Sequence, residues 1–515
     1  MTRIIGYRGD LPPAAFNMAA YCIGRARLAS PGKPALVVVA DPKREPSEIW
    51  SYAQLEDAIL NVAGALSLVG LEPGARILIR LDNTSEYALM FFGAVAAGFV
   101  PIPASTQLTP LEVTFLLENS GAEAMCVADQ LAVGRIPAGV KVIGQDQVSH
   151  MIASGSRGTY APTTADQAAY LIYTSGTTSR PKGVLHAQRA AWGRRPMYQG
   201  WYGISSNDRV LHAGAFNWTY TLGVGLTDPW ANGATSIIYT GEKDPAVWPK
   251  LILDHGATIF AAVPGLYRQI MKYGGAGSGA FGTMRHGLTA GEAPPPGFFD
   301  EWQARTGFEL YESIGMSEMS TFISTSPTVP RREGAIGRPQ PGRSVVILDV
   351  DSGTEPLAAG ERGLLAVHRS DPGLMLRYWN RPDEEREVLR GDWFVGGDLA
   401  SMDADGYVTH HGRANDIMKA GGYRVSPQEV EAVLAEHGCV AEVACTEVRV
   451  RAGVSIIAAF VVAKAGVAPD AESVKAHAAG RLAAYKCPRE VVFVDQLPRT
   501  PNGKLKRAAL SLPSK

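Results

Sequence analysis

The segment from Tyr173 to Gly183, YTSGTTSRPKG, sets five aliphatic hydroxyls and two cations around a glycine. Thr174, Ser175, Thr177, Thr178 and Ser179 carry the hydroxyls; Arg180 and Lys182 carry the charge. Gly176 lets the backbone come close to a ligand. Such a loop can wrap phosphate oxygens with amide and hydroxyl donors. It is not a Walker A loop, which requires glycine, four residues and then Gly-Lys-Ser/Thr. Here Gly183 follows Lys182, and Pro181 discourages a helix beginning at the lysine. The residues alone leave two readings: a phosphate clamp, or a surface turn rich in Ser and Thr.

The elements around this loop decide how it is held. Ala169 to Tyr173 (AYLIY) reads as a short buried strand, and Val184-Leu185-His186 as a second one. The clamp is therefore expected to be strand, loop, strand. Ala234 to Tyr239, Ala257 to Val263 and Val345 to Val350 read as further strands. Ser51-Tyr52-Ala53-Gln54 has the spacing of a capping box, and Leu55, Ile59, Val62 and Leu66 follow at helical intervals towards Gly70. Thr109-Pro110-Leu111-Glu112 repeats that logic with proline at the first helical position, and Ser426-Pro427-Gln428-Glu429 repeats it again. The apolar run Ala88 to Pro103 is shorter than the roughly 20 residues of a spanning helix. It reads as a buried helix leading into a strand. Alternating strand and helix signals predict α/β layers. From about Gly412 the texture changes to a smaller α+β unit of about a hundred residues, a usual size for a domain.

Composition narrows the function. The 515 residues are 46% hydrophobic and 19% charged, enough to bury a large core. Lys+Arg 49 against Asp+Glu 50 leaves a net charge of -1, so nothing drives binding to a nucleic-acid backbone. Cys22, Cys126, Cys439, Cys445 and Cys487 are scattered without a CxxC pair, which argues against a zinc ribbon or a disulfide framework. The N-terminus lacks the apolar core of a signal peptide. These features predict a cytoplasmic protein that engages neither membrane nor nucleic acid.

YTSGTTSRPKG closely resembles the phosphate loop of the adenylate-forming superfamily, which holds acyl-CoA synthetases, peptide-synthetase adenylation domains and luciferases; Ser179 replaces a usual glycine. Four more segments resemble the family's motifs in the same order: ESIGMSEM (Glu312 to Met319), GDWFVGGDLA (Gly391 to Ala400), GRANDIMKAGGYRVSP (Gly412 to Pro427) and PRTPNGKLK (Pro498 to Lys506). The resemblance is to the acyl-CoA synthetase and benzoate–CoA ligase-like branch. It implies a large N-terminal domain, residues 1–414, of stacked α/β layers plus a small β-barrel-like part. A small mobile α+β domain, residues 415–515, follows a hinge at Asn415.

The resemblance also assigns roles. A carboxylate attacks the α-phosphate of ATP, giving an acyl-adenylate and pyrophosphate; coenzyme A then takes the acyl group and AMP leaves. Lys504, Glu318 and Lys182 are the implied catalytic residues, with Glu318 also the Mg²⁺ ligand. Thr174, Ser175, Gly176, Thr177, Thr178, Gly291, Glu292, Ile314, Ser317, Asp398 and Arg413 are implied around the nucleotide. Asp398 and Arg413 each also admit the reading of a structural ion pair. Phe216, Trp218 and Gly315 would line the acyl pocket, and Asn415, Gly421, Gly422 and Tyr423 would serve the hinge and the coenzyme A face. Ile314 stands where many members stack a tyrosine on adenine, and Thr321 where aromatic-acid ligases carry a histidine. An apolar aromatic wall suits an aromatic or short-to-medium acyl group. The implied partners are ATP, coenzyme A and a small carboxylic acid. A second copy of the chain and a lysine acetyltransferase acting on Lys504 are candidate partners too. The alternative activity is loading of a carrier protein in trans.

Overall fold

The structure, a computed structural model, describes residues 6–512 apart from 175–180, 276, 278, 296, 415–417, 421–422, 452–453 and 500–504. The chain forms two compact units: Met1–Ser344 with His368–Asp392, and Val345–Val367 with Trp393–Lys515. The expected boundary at 414/415 falls inside the second unit.

A nine-stranded sheet organises the first unit. Its order is Arg338–Pro339, Ser320–Ser324, Glu309–Met316, His286–Ala290, Ile259–Ala262, Arg209–His212, Thr235–Tyr239, Pro34–Val39, Glu48–Ser51. The six strands from Glu309–Met316 to Pro34–Val39 are parallel; the outer strands run antiparallel to their neighbours. Five of these six, all but Glu309–Met316, are buried almost throughout, as central parallel strands covered on both faces are. Val37 and Val39 enter one core cluster with Leu211, Ile237 and Phe260, while Leu36 and Val38 enter another with Tyr52 and Trp230. A four-stranded parallel sheet, Val100–Pro103, Arg76–Arg80, Ala124–Val127, Lys141–Gly144, lies in the same unit.

The predicted capping boxes form at Ser51 and at Thr109, opening the helices Tyr52–Ser67 and Pro110–Ser120. The apolar run resolves into the helix Ser85–Ala96 and the strand Val100–Pro103, as expected. Ser426 precedes the helix Pro427–Ala435 without a side-chain cap; its hydroxyl donates instead to the His411 carbonyl at 2.9 Å. Among the described residues no helix is long and apolar enough to cross a membrane.

In the second unit Val345–Leu348, Arg362–His368, Trp393–Met402 and Val408–Arg413 are successive neighbours in one sheet. A hairpin pairs Met418–Ala420 with Tyr423–Val425. Val440–Arg451, Val454–Ala463 and Glu490–Phe493 form a three-stranded sheet, with the helices Pro427–Ala435 and Ala471–Ala479 contributing to the same core. This mixed α/β architecture, a large unit followed by a small one, is the fold class the sequence predicts.

Candidate active site

The two strands expected on either side of the clamp loop are present. Ala168–Thr174 pairs antiparallel with Lys182–Ala187, and Thr174 faces Lys182 across the ladder. The tip between them, with Ser175, Gly176, Thr177 and Thr178, lies outside the described residues. Pairing fixes the backbone of Lys182 at the mouth of the hairpin. The strand Arg377–Tyr378 pairs on the other edge, with Tyr378 opposite Val184.

That third strand joins two of the predicted catalytic residues. The Lys182 ammonium lies 3.8 Å from the centroid of the Tyr378 ring, a cation–π contact. The Tyr378 hydroxyl donates to Glu318 Oε1 at 2.6 Å. Lys182 also meets Glu384 Oε2 at 3.3 Å. Tyr378 and Glu384 were not among the residues singled out from the sequence. Neither sits in a motif, and only the strand pairing brings them to Lys182.

Ser317 is held from behind. Its carbonyl lies 2.8 Å from His186 Nε2, and the His186 ring stacks on Tyr170 with centroids 4.6 Å apart. Burial pushes His186 down to about 4, with the Ser317 carbonyl opposing that only in part, so the ring is neutral at physiological pH. In that state Nε2 carries the proton and donates to Ser317. Burial pushes the Glu312 carboxyl up to about 8, against the pull of Arg331. Ser320 adopts φ 78°, a left-handed conformation unusual for serine, and its hydroxyl accepts from the Arg194 guanidinium.

The remaining candidates of the first unit lie at or just past the carboxyl ends of the parallel strands, where open α/β sheets bind ligands. Gly291 and Glu292 follow His286–Ala290, Ile314 and Gly315 sit near the end of Glu309–Met316, and Phe216 and Trp218 follow Arg209–His212. Gly291 has φ 96°, and a Cβ there would lie 2.9 Å from the Trp218 ring. The glycine expected at the nucleotide and the tryptophan expected in the acyl pocket are thus neighbours. A Cβ on Gly315 would lie 2.6 Å from the Ser320 carbonyl oxygen, so the bulge there demands glycine. Phe216 is a core residue, 3% exposed and packed on Tyr87, whereas Trp218 is only partly buried. Asn83, also missed from the sequence, ties their loop: it donates to the Gly214 carbonyl at 2.6 Å and accepts from the Phe216 N–H at 3.0 Å.

In the second unit, Asp398 and Arg413 face each other across an antiparallel ladder. Arg413 donates to Asp398 Oδ2 at 3.1 Å, and His410 Nε2 lies 3.0 Å from Oδ1. Lys504, Asn415, Gly421 and Gly422 lie outside the described residues, and Tyr423 is described only as a member of its strand. Among the described residues no group of three or more His, Cys, Asp or Glu side chains could hold a metal ion by itself. Glu318 is a single hard-oxygen donor. That suits Mg²⁺, which pairs one or two carboxylates with phosphate oxygens and water.

The AMP-binding enzyme family matches residues 25–379, and the AMP-binding enzyme C-terminal domain matches residues 429–504. The chain belongs to this family of AMP-forming acid–thiol ligases. It is 30% identical to the benzoate–CoA ligase of Thauera aromatica over 515 residues, covering 97% of this chain and 96% of that one. It is 30% identical to the 3-hydroxybenzoate–CoA ligase of Aromatoleum sp. (strain CIB), covering 89% and 91%. A solved benzoate CoA ligase from Burkholderia xenovorans LB400 superposes with a TM-score of 0.84 at 31% identity, covering 96% of this chain and 99% of that one.

Proposed function

We propose that this chain joins an apolar monocarboxylate, aromatic or of short to medium length, to coenzyme A at the expense of ATP. A carboxylate oxygen attacks the α-phosphorus, the bond to pyrophosphate breaks, and an acyl-adenylate forms. The coenzyme A thiolate then attacks the acyl carbon and AMP departs with the bonding electrons. The observation that carries this reading is the linkage of Lys182 to Tyr378 and of Tyr378 to Glu318, and the close approach of Trp218 to Gly291 supports it. Thr219, next to Trp218 in the chain, and Ser317, next to Glu318, line one cavity. Lys182 and the hydroxyls of the clamp offset phosphate charge, Asp398 accepts from the ribose, and Lys504 serves the adenylation step. Such fixed donors act where charge develops. Residues 415–515 turn about Asn415 between the two half-reactions, in the cytoplasm.

Glu318 would hold Mg²⁺, whose chemistry is to neutralise and orient phosphate oxygens. Tyr378 holds that carboxylate by donating its hydroxyl to Oε1 at 2.6 Å. Tyr378→Phe is expected to weaken the apparent affinity for Mg²⁺ by about tenfold, the low end for losing an outer partner of a metal ligand. A titration of initial rate against Mg²⁺ at saturating ATP reads this; an unchanged midpoint would remove Glu318 from the metal.

The substrate class is tested by AMP release across aromatic, alicyclic and linear C3–C10 acids, with and without coenzyme A. Apolar monocarboxylates should outperform amino acids, and turnover should require coenzyme A. Preference for an amino acid would refute the class. Adenylation without any use of coenzyme A would favour a carrier protein as acceptor.

A further inference from the structure

Lys182 is already neutralised inside the chain. Its side chain is only 18% exposed; the ammonium rests on the Tyr378 ring and meets Glu384 Oε2 at 3.3 Å. The other oxygen of Glu384 accepts from the Arg381 guanidinium. One carboxylate thus bridges two cations, Lys182 and Arg381, both of which are donors suited to phosphate as well. The two sides of the pair are held differently. Lys182 is a ladder residue opposite Thr174, fixed by the sheet. Glu384 stands on the seven-residue helix Pro382–Val388, which buries no residue of its own. Tyr378 follows the same arrangement, since its N–H reaches the Glu385 carboxylate at 3.3 Å.

We infer that Glu384 is an intramolecular stand-in for phosphate on Lys182, which the phosphates of the nucleotide must displace. The inference rests on the proposed role of Lys182 as a phosphate contact and adds to it a residue that sets nucleotide affinity. Burial would raise the Glu384 carboxyl, but Arg381 and Lys182 outweigh it and hold it below the usual range, so the anion persists at physiological pH. A partly exposed pair of this kind changes an equilibrium by about fivefold. The displaced carboxylate keeps Arg381, so its release costs only the Lys182 half of the bridge. Salt weakens such pairs by screening.

Calorimetry of the full chain with α,β-methylene ATP and Mg²⁺, without acid or coenzyme A, tests this. Glu384→Gln keeps the shape and removes the charge; it should bind the analogue about fivefold more tightly and adenosine unchanged. Glu384→Ala should tighten in the same direction, guarding against a fault peculiar to the glutamine. In a Lys182→Met background the Glu384→Gln gain should vanish. If both Glu384 variants bind the analogue as the parent does, or more weakly, the inference is overturned while the role of Lys182 stands. If Lys182→Met alone binds the analogue as tightly as the parent, the role of Lys182 fails first and the inference with it.

Discussion

Lys504→Ala is expected to lose formation of the acyl-adenylate by about 10²–10³ in kcat, the usual cost of removing one donor from a developing oxyanion. Nucleotide binding should survive, because Lys182 and the clamp belong to the other unit. The second half-reaction should survive too, since Lys504 is assigned to adenylation alone. Acid-dependent pyrophosphate–ATP exchange reads the first step, and thioester formation from synthetic acyl-adenylate reads the second. Residues flanking Lys504 are anchored: Arg499 bridges Leu505, the Lys506 N–H donates to the Pro498 carbonyl at 2.8 Å, and both carboxylate oxygens of Glu431 accept from Arg507. Lys506 is exposed, so Lys506→Ala should leave both steps near the parent rate. That contrast separates a placed lysine from an ordinary tail lysine. Exchange at the parent rate in Lys504→Ala would defeat the assignment. Acetylation of Lys504 would remove the same charge and should reproduce the same split between the steps.

Local rules made much of the architecture legible. A hydroxyl followed three residues later by Gln or Glu marks the caps at Ser51 and Thr109 because both partners lie within one turn. The same spacing misleads at Ser426, where a carbonyl from another strand, His411, competes successfully for the hydroxyl. The strand pair around Lys182 was legible because its two strands are adjacent in sequence. Tyr378 and Glu384 were not, because they reach Lys182 only through an antiparallel pairing across nearly two hundred residues. His186 looked like one residue of an apolar strand; its role against Ser317 depends on where the Ser317 turn is folded. Asn83 likewise carries no local signal, and only the approach of the Gly214–Phe216 loop gives its amide both partners. Gly291 and Trp218 are brought together by the parallel sheet, which returns every strand to one edge regardless of sequence separation. Asp398 and Arg413, each readable as a ligand contact or as an ion-pair partner, hydrogen-bond to each other. Their pairing and a role at the ribose are compatible, because a carboxylate oxygen has more than one acceptor site.

The other large effect expected is on stability. Asp228 is wholly buried and Arg194 is 6% exposed; Arg194 donates to both carboxylate oxygens at 2.7 Å, and Tyr202 donates to one of them. Burial alone would push the Arg194 guanidinium down, but Asp228 more than reverses it, so the guanidinium stays charged. Asp228→Ala strands that cation and should cost about 3–5 kcal/mol in chemical denaturation. Asp228→Leu combined with Arg194→Met removes both charges and should recover most of that loss, because replacing a buried pair with apolar groups is often neutral. Equal instability in the single and double variants would mean that packing, not charge, governs the site. Function should not recover with stability. Arg194 also holds the hydroxyl of Ser320, whose strained backbone follows Glu318 by two residues and backs onto Gly315. Without that donor the turn loses a fixed point, so the double variant should fold well yet show a raised KM for the acid. A folded double variant with parental KM would show that the ion pair serves the core alone.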